Sequence, residues 1–434
     1  MRNGENEKLR NGLRRVCAQP NFSFSHSLIL SISQYLIFSF STFLIFSISP
    51  AFAQKTKVHT VRQELSQART ILKSGRNGEQ AEQLMTRLLK DSANQDDKRI
   101  YSVWYESVLM QYQAVNEKLY MKQRQDTAQF FELTRRLFSV AETLDSLDMR
   151  PDKKGRVDPE YRKAHAEQLN KFRPNLFFGS TFHVRKADFQ KGYEFSEAYM
   201  DCARQPLFTD YRYDSTDYRM PEAAYWATYC GYRLHDPVLT LRHRSMALND
   251  TAHVEHTLQY MAEARLWLND DSLYLENLRE GFNRFPLNNY FFPRLMDYYN
   301  QRKDYDSALD VANRALAVND SSELFLFAKS AVLFNLGRYD ESIVLSDTLI
   351  ARNDSLPEPY YNAGTAYMNK ALKLNPLSEK KLLRANYQKA RQYMERYRQL
   401  APDQLQKWGT ALYRIYLNLN MGKQFDEMDR LLKK

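Results

Sequence analysis

Apolar residues recur at helical spacing along most of this chain. Over Val61–Leu89 two short amphipathic helices are predicted, with Leu65, Ala68 and Leu72 on one and Ala81, Leu84, Met85 and Leu88 on the other. Gly75 and Gly78 mark the turn between them. Ile100–Met121 carries Trp104, Val108, Tyr112 and Val115 on one stripe, and Thr127–Leu147 carries Phe130, Phe131, Leu137 and Leu144. The charged, turn-rich run Asp148–Pro159 breaks the pattern and is the predicted subdomain seam. Helix resumes over Tyr161–Phe172. Phe177, Phe178 and Phe182 then lead one predicted helix and Phe189, Tyr193 and Tyr199 the next, before an aromatic and acidic connector over Gln205–Met220.

From Pro221 the helices come in regular pairs. Asp304-Tyr305-Asp306-Ser307-Ala308-Leu309 recurs as Arg338-Tyr339-Asp340-Glu341-Ser342-Ile343, which sets one interval between Tyr305 and Tyr339. Leu309 and Ile343, Asp320 and Asp354, and Pro286 and Asp320 keep the same interval. A fixed period in the range of about 20–50 residues marks stacked supersecondary units, none of which buries its apolar face alone.

Together with Tyr360-Tyr361-Asn362-Ala363-Gly364-Thr365-Ala366-Tyr367, these residues resemble the tetratricopeptide repeat, whose period is about 34 residues. The resemblance is closest over 286–402, looser over 176–285 and 403–434, and faint before 176. It implies an all-α fold, a right-handed superhelical solenoid of helix–turn–helix repeats. The implied organisation is a divergent helical region over 54–175, degenerate repeats over 176–285 and regular repeats over 286–434. An insertion at about 370–383 (Lys370–Leu383) either lengthens both helices of its pair or adds a loop between them. In such repeats Tyr305 and Tyr339 open second helices, and Ala308, Ala312, Ala315 and Gly364 permit close helix approach. Asp320 and Asp354 are expected to cap the helices that follow them.

The resemblance also implies a site, because first helices line the concave groove. Carried over residue by residue, that face is Tyr290, Asp297, Asn300 and Gln301, then Phe327, Ala331, Phe334 and Asn335, then Tyr361, Asn362, Thr365, Met368 and Asn369. Rings give contact area at low entropic cost and amides bond a backbone, so a protein or peptide is the expected partner. The subclass that clamps a terminal carboxylate is not expected, since the matching positions lack its cations and include Asp297.

Composition narrows the picture. Gly (13) and Pro (14) are scarce, which favours helices joined by short turns, and 29 Tyr with 25 Phe supply a sizeable core. The formal charge is +10, of which +3 falls within Met1–Ala53. The remainder is spread without a long like-charged block, so no nucleic-acid partner is expected.

The segment Ser27–Ser49 is apolar and serine-rich, follows a basic stretch and precedes Ala51-Phe52-Ala53. That is the order of a secretory signal peptide, predicted over residues 1–53, with Pro50 presenting an extended run to the peptidase. The alternative is an uncleaved anchor, with Arg14 and Arg15 on the cytoplasmic side. Either way Gln54–Lys434 is exported, periplasmic or envelope-associated, and a membrane is a partner only if the segment is retained. Cys202 and Cys230 fall on different predicted helices and are expected as buried free thiols.

Motifs for chemistry are sparse. The sequence has no G-x-x-x-x-G-K-[ST] phosphate loop, no G-x-G-x-x-G after a strand and no G-x-S-x-G nucleophile elbow. His253 and His256 have a spacing that can bind metal but no evident third ligand, and Asp96-Asp97 and Asp270-Asp271 sit where aspartate caps turns. No catalytic residue, cofactor or metal is therefore expected. The reading is an exported, non-catalytic scaffold that binds a protein or peptide. The alternatives are a membrane-tethered envelope assembly factor, a glycan-binding helical-repeat protein, and an enzyme whose pocket in 97–220 gathers His165 and His183.

Overall fold

The computed structural model describes residues 50–433 other than 124, 125 and 153, with side chains from residue 61 onward. Regular structure among the described residues is helical, and it divides into two compact units that meet in sequence at Asn269 and Asp270. The first contains α1 (Pro50–Lys73), α2 (Gly78–Leu88), α3 (Lys98–Tyr120), α4 (Thr127–Asp148), α5 (Arg162–Phe172), α6 (Pro174–Arg185), α7 (Phe189–Asp201), α8 (Met220–Arg233), α9 (Pro237–Arg242) and α10 (Val254–Trp267). The second contains α11 (Asp271–Arg284), α12 (Phe291–Gln301), α13 (Tyr305–Val318), α14 (Glu323–Asn335), α15 (Tyr339–Arg352), α16 (Pro357–Leu372), α17 (Lys380–Leu400), α18 (Leu405–Leu419) and α19 (Gly422–Leu432). The predicted export segment through Ser49 lies outside the described residues. From Pro50 the backbone is helical, where an extended run was expected, because proline's fixed φ suits a first helical turn.

The turn inside each hairpin explains the period. Helix after helix ends on a residue in the left-handed region: Ala187 (φ 59°), His235 (55°), Asn269 (54°), Lys303 (57°) and Gly337 (74°). Each of the last three follows its predecessor by one full period. Next comes the cap of the second helix. Asp188, Asp236, Asp270 and Asp304 accept from backbone N–H groups of Lys191, Val238, Leu273 and Ser307 at 2.9–3.3 Å. Tyr305 and Tyr339 open their helices as expected. Asp320 and Asp354 do not cap. The cap of α14 is Ser322, whose hydroxyl accepts from Phe325 N at 3.4 Å, and α16 begins with Pro357 after Leu356. A cap must immediately precede the first helical residue, and both aspartates lie too early.

Within the hairpins, small side chains let the helices close. In α14/α15 the Ser330 hydroxyl donates to the Ser342 carbonyl (3.1 Å) and lies 2.9 Å from Ser346 Oγ. In α6/α7 the Ser180 hydroxyl donates to the Gly192 carbonyl (2.9 Å) and lies 2.7 Å from Ser196 Oγ. The same contact therefore recurs in a hairpin whose sequence looks degenerate. All five serines are buried, and their hydroxyls are satisfied locally.

The insertion lengthens its hairpin and adds a short loop. α16 has 16 residues and α17 has 21, against 13 and 14 in α14 and α15. Gly364 holds the place of Ser330 and faces Met394, which an ideal Cβ would approach to 3.0 Å. The seven residues by which α17 exceeds α15 make about two helical turns, so the side of α17 that faces α16 is preserved.

The run predicted as a seam is pinned inside the first unit. The fully buried Asp148 carboxylate accepts from Lys98 Nζ (3.0 Å) and from the backbone N–H groups of Glu160 (2.7 Å) and Tyr161 (3.0 Å). Asp145 takes both arms of Arg162 at 2.7 Å. The aromatic connector is held likewise: Arg173 lies between Tyr199 and Tyr213, 3.9 and 3.8 Å from the ring centroids, and donates to Asp217 at 2.6 Å. Cys202 and Cys230 are buried free thiols, and burial pushes the Cys230 thiol up to about 12.

Two outcomes are expected. Ala187→Gly relieves a left-handed alanine and stabilises the fold by about 0.5–1 kcal/mol, whereas Gly337→Ala costs about 1 kcal/mol. Urea midpoints that move the other way would refute the turn assignment. Burial, with Asp201 adding to it, raises the Glu142 carboxyl from 4.5 to about 8. The folded chain keeps that proton to higher pH than the unfolded chain, so stability falls as pH rises from about 4.5 to about 8. Thermal melts across that window are expected to show the fall in the parent and a shallower one in Glu142→Gln.

Candidate ligand-binding face

Because the turns hold helix phase, side chains at i, i+4, i+7 and i+11 of successive first helices occupy equivalent stripes. In the second unit these are Tyr290, Arg294, Asp297 and Gln301 on α12 with its cap, then Leu324, Ala328, Ala331 and Asn335 on α14, then Glu358, Asn362, Thr365 and Asn369 on α16. Corresponding members stand one period apart.

The three stripes differ in chemistry. On α12 the Arg294 guanidinium lies 3.7 Å from the Tyr290 ring centroid; Tyr290, Asp297 and Asn300 are half-buried and Gln301 is exposed. Arg294 supplies a cation that the sequence reading placed nowhere on this face. The α14 stripe is low, since Ala328 and Ala331 contribute only methyl groups, and Asn335 is exposed at its end. Phe334 is half-buried, 5.6 Å from the Tyr339 ring. On α16 Asn362 is 8% exposed, and Asn369 donates its amide to the Thr365 carbonyl at 3.0 Å. Tyr361 lies beside Tyr397 at 5.1 Å, with Lys407 Nζ 5.7 Å from its centroid.

Phe327 does not belong to the face. It is 1% exposed and shares a buried cluster with Leu326 and Leu349, with Leu316, Leu345 and Leu356 around it. Beside a stripe of alanines its ring packs inward, where it gains apolar burial. Met368 is buried as well.

Four buried polar atoms of the predicted face or its stripe have no hydrogen-bond partner: Asn300 Oδ1, Glu358 Oε2, Asn362 Nδ2 and Thr365 Oγ1. Three of them follow one stripe of α16. Each such atom costs about 1–3 kcal/mol relative to a satisfied one.

The first unit carries equivalent stripes that the sequence reading passed over. They are Glu222, Trp226, Tyr229 and Arg233 on α8, and His256, Tyr260, Glu263 and Trp267 on α10, again offset by one period. Tyr232 stacks with Tyr260 (4.5 Å) and with Trp267 (5.6 Å), and Tyr229 lies 5.7 Å from Tyr260. Subtracting one period from Tyr290 and Arg294 lands on His256 and Tyr260, so the signal was in the spacing.

The residues considered for chemistry serve packing. His253 Nδ1 is 2.7 Å from Asp250 Oδ2 and its ring stacks on Tyr225 at 4.1 Å. His165 stacks on Tyr105 at 3.9 Å and His183 on Phe195 at 5.3 Å, and burial lowers both imidazoles' pKa. A cavity of about 520 Å³ at α2–α4 takes in neither histidine. Its Glu82 carboxylate is satisfied by Trp104 (3.0 Å), Gln111 (2.7 Å) and Arg136 (2.9 Å). Among the described residues no three His, Cys, Asp or Glu side chains are grouped to hold a metal ion.

No family model and no curated protein matches this sequence. Among solved structures, the C-terminal part of a TPR repeat-containing protein from Cytophaga hutchinsonii is 10% identical with a TM-score of 0.41, over 58% of this chain and 92% of that one. Yeast Tom70 is 12% identical with a TM-score of 0.32, over 88% of each chain. The TPR domain of P58(IPK) is 12% identical with a TM-score of 0.24, over 86% and 98%. Likenesses this distant carry nothing further, and the repeat architecture rests on the chain's own period and hairpins.

Phe327→Ala is expected to cost about 3–5 kcal/mol in urea unfolding, the loss typical of a buried ring. An unchanged midpoint would return Phe327 to the groove.

Proposed function

We propose that this chain is an exported, non-catalytic repeat scaffold that holds an extended protein or peptide segment along α12, α14 and α16. The observation that carries the reading is the run of unpaired polar atoms at Glu358, Asn362 and Thr365. Buried polar groups are nearly always paired, so a run of unpaired ones along one stripe supports a ligand that completes them. The amide torsion of asparagine is broad, so a small rotation turns Asn362 Nδ2 outward toward a peptide carbonyl. The methyl floor of α14 leaves room for a chain to lie between the Arg294–Asp297 stripe and the Asn362–Thr365 stripe. A stripe of 11 residue steps runs about 16 Å, enough for roughly five residues of extended peptide. Export is supported by the order of basic, apolar and Ala-Phe-Ala segments before Gln54.

A photo-crosslinking residue placed at Asn335 of the full chain in its native cells is expected to yield a discrete protein adduct, and one at Glu341 on the second helix is not. The pair Asn362→Ala and Thr365→Ala should cut the adduct about tenfold, as lost hydrogen bonds of roughly 0.7 kcal/mol each would. Equal adducts at both positions would refute the groove. The mass of the chain recovered from separated envelope fractions tests export. A soluble species beginning at Gln54 fits a free scaffold, whereas a membrane-bound one retaining Ser27–Ser49 makes it a tethered factor.

A further inference from the structure

We infer that the tip of the long hairpin α16/α17 is a membrane-docking element, which seats its leucines in the surface of a bilayer rich in anionic lipid. Lys370 and Lys373 already reach the opening of α15, the one paired with Asp340 and the other 4.6 Å over the Tyr339 ring. α16 starts one period after α14, so its three extra residues fall at this end. Met394 stands to Gly364 as Ser346 does to Ser330, which puts the seven extra residues of α17 here too. Together they carry the connecting loop about 5–10 Å past the α14/α15 turn.

The tip is ordered by its own bonds. Asn375 Oδ1 accepts from the backbone N–H groups of Leu377 (2.9 Å) and Ser378 (3.3 Å), and the Glu379 carboxylate accepts from Asn375 N at 2.8 Å. The turn so closed leaves leucines outside. Leu372 is 65% exposed, Leu377 92% and Leu382 53%, whereas Leu383 packs with the buried side of α17 at Tyr387, Ala390 and Met394. Large apolar side chains left this bare on a projecting turn gain burial only when something covers them.

Charge selects the cover. Residues 372–385 hold Lys373, Lys380, Lys381 and Arg384 against Glu379 alone. Among the described residues Lys380, Lys381 and Arg384 have no partner, and Glu379 is engaged inside the turn. An anionic lipid surface attracts each such cation, and their long stems let the charged ends stay at headgroup level while leucines go deeper. A second copy of this chain would bring the same sign of charge to the contact. A protein partner is usually gripped through Trp and Tyr at a packed centre from which lysine is depleted, and the tip has no aromatic residue and adjacent lysines. The docking is superficial, since among the described residues no helix is long and apolar enough to cross a membrane.

A nitrobenzoxadiazole label on Ser378→Cys reads this locally, whatever hold the N-terminal segment has on the vesicle. The full chain carries Cys17→Ser, since Cys202 and Cys230 are buried, and is mixed with vesicles bearing nitroxide-labelled lipid at about 0.15 M salt. Quenching is expected with mixed phosphatidylglycerol and phosphatidylcholine. With phosphatidylcholine alone the ratio of quenched to unquenched label is expected to fall about tenfold or more. Lys380→Gln with Lys381→Gln should lower it as much, since each cation near such a surface is worth about fivefold. Leu377→Ser with Leu382→Ser should bring it down to that of a label at Gln399→Cys, about 30 Å away along α17, where no quenching is expected. All the substituted tip positions are exposed, so neither pair disturbs the packing of the hairpin. Equal quenching at Ser378→Cys and Gln399→Cys, equal quenching by the two kinds of vesicle, or indifference to either pair would overturn the proposal. So would protection of the label from aqueous iodide by a lipid-free envelope extract without quenching by the vesicles, which would give the tip to a protein.

Discussion

A left-handed residue followed by a capping aspartate is the constraint on which the regular part of this molecule depends. His235-Asp236, Asn269-Asp270 and Lys303-Asp304 repeat it at one period, and Gly337 repeats the backbone without the aspartate. The left-handed residue reverses the chain, and the cap fixes where the next helix starts. Once both are set, helix phase follows, and with it the set of side chains that shares each stripe. The chain accepts backbone strain at alanine, histidine and lysine, where glycine would be easier, and keeps the geometry.

What holds the hairpins closed differs from what holds them in phase. Serine, glycine and alanine at the closest approach let backbones come near, and the serine hydroxyls bond across the gap instead of remaining orphaned. In the first unit, where regular turns are fewer, buried ion pairs take over the positioning. Asp148 and Arg173 each tie an irregular stretch to a helix, and Asp145 and Glu82 join one helix to another. Such pairs add little net stability, because desolvation offsets most of their attraction, and we read their role as one of register.

The sequence carried this architecture in its spacing. The helical pairs, the openings at Tyr305 and Tyr339 and the place of the insertion could all be read from one repeated interval. Details decided by contacts could not. Ser322 displaces Asp320 as cap because a cap is a matter of one residue's offset, finer than a repeat match. Phe327 turns inward because its alanine neighbours leave no ridge to stand beside, which only the assembled helices reveal. The charged run after Asp148 reads as a boundary, yet two buried carboxylates bind it down, and their partners lie up to 50 residues away. The aromatic stripes of α8 and α10 were within reach, since the period extends to them unbroken. Their rings read as core until their shared helical positions are compared.

The long hairpin α16/α17 shows what kinds of change this architecture tolerates. The seven residues added to α17 make nearly whole turns, so Gly364 still meets its partner helix and the Asn362 stripe still sits on the side it would occupy in an ordinary repeat. An addition out of step with the turn would roll the second helix and expose its buried side. Length in this array therefore evolves in discrete steps: descent can grow or trim an arm by multiples of about seven residues while the surface shown to a partner stays the same.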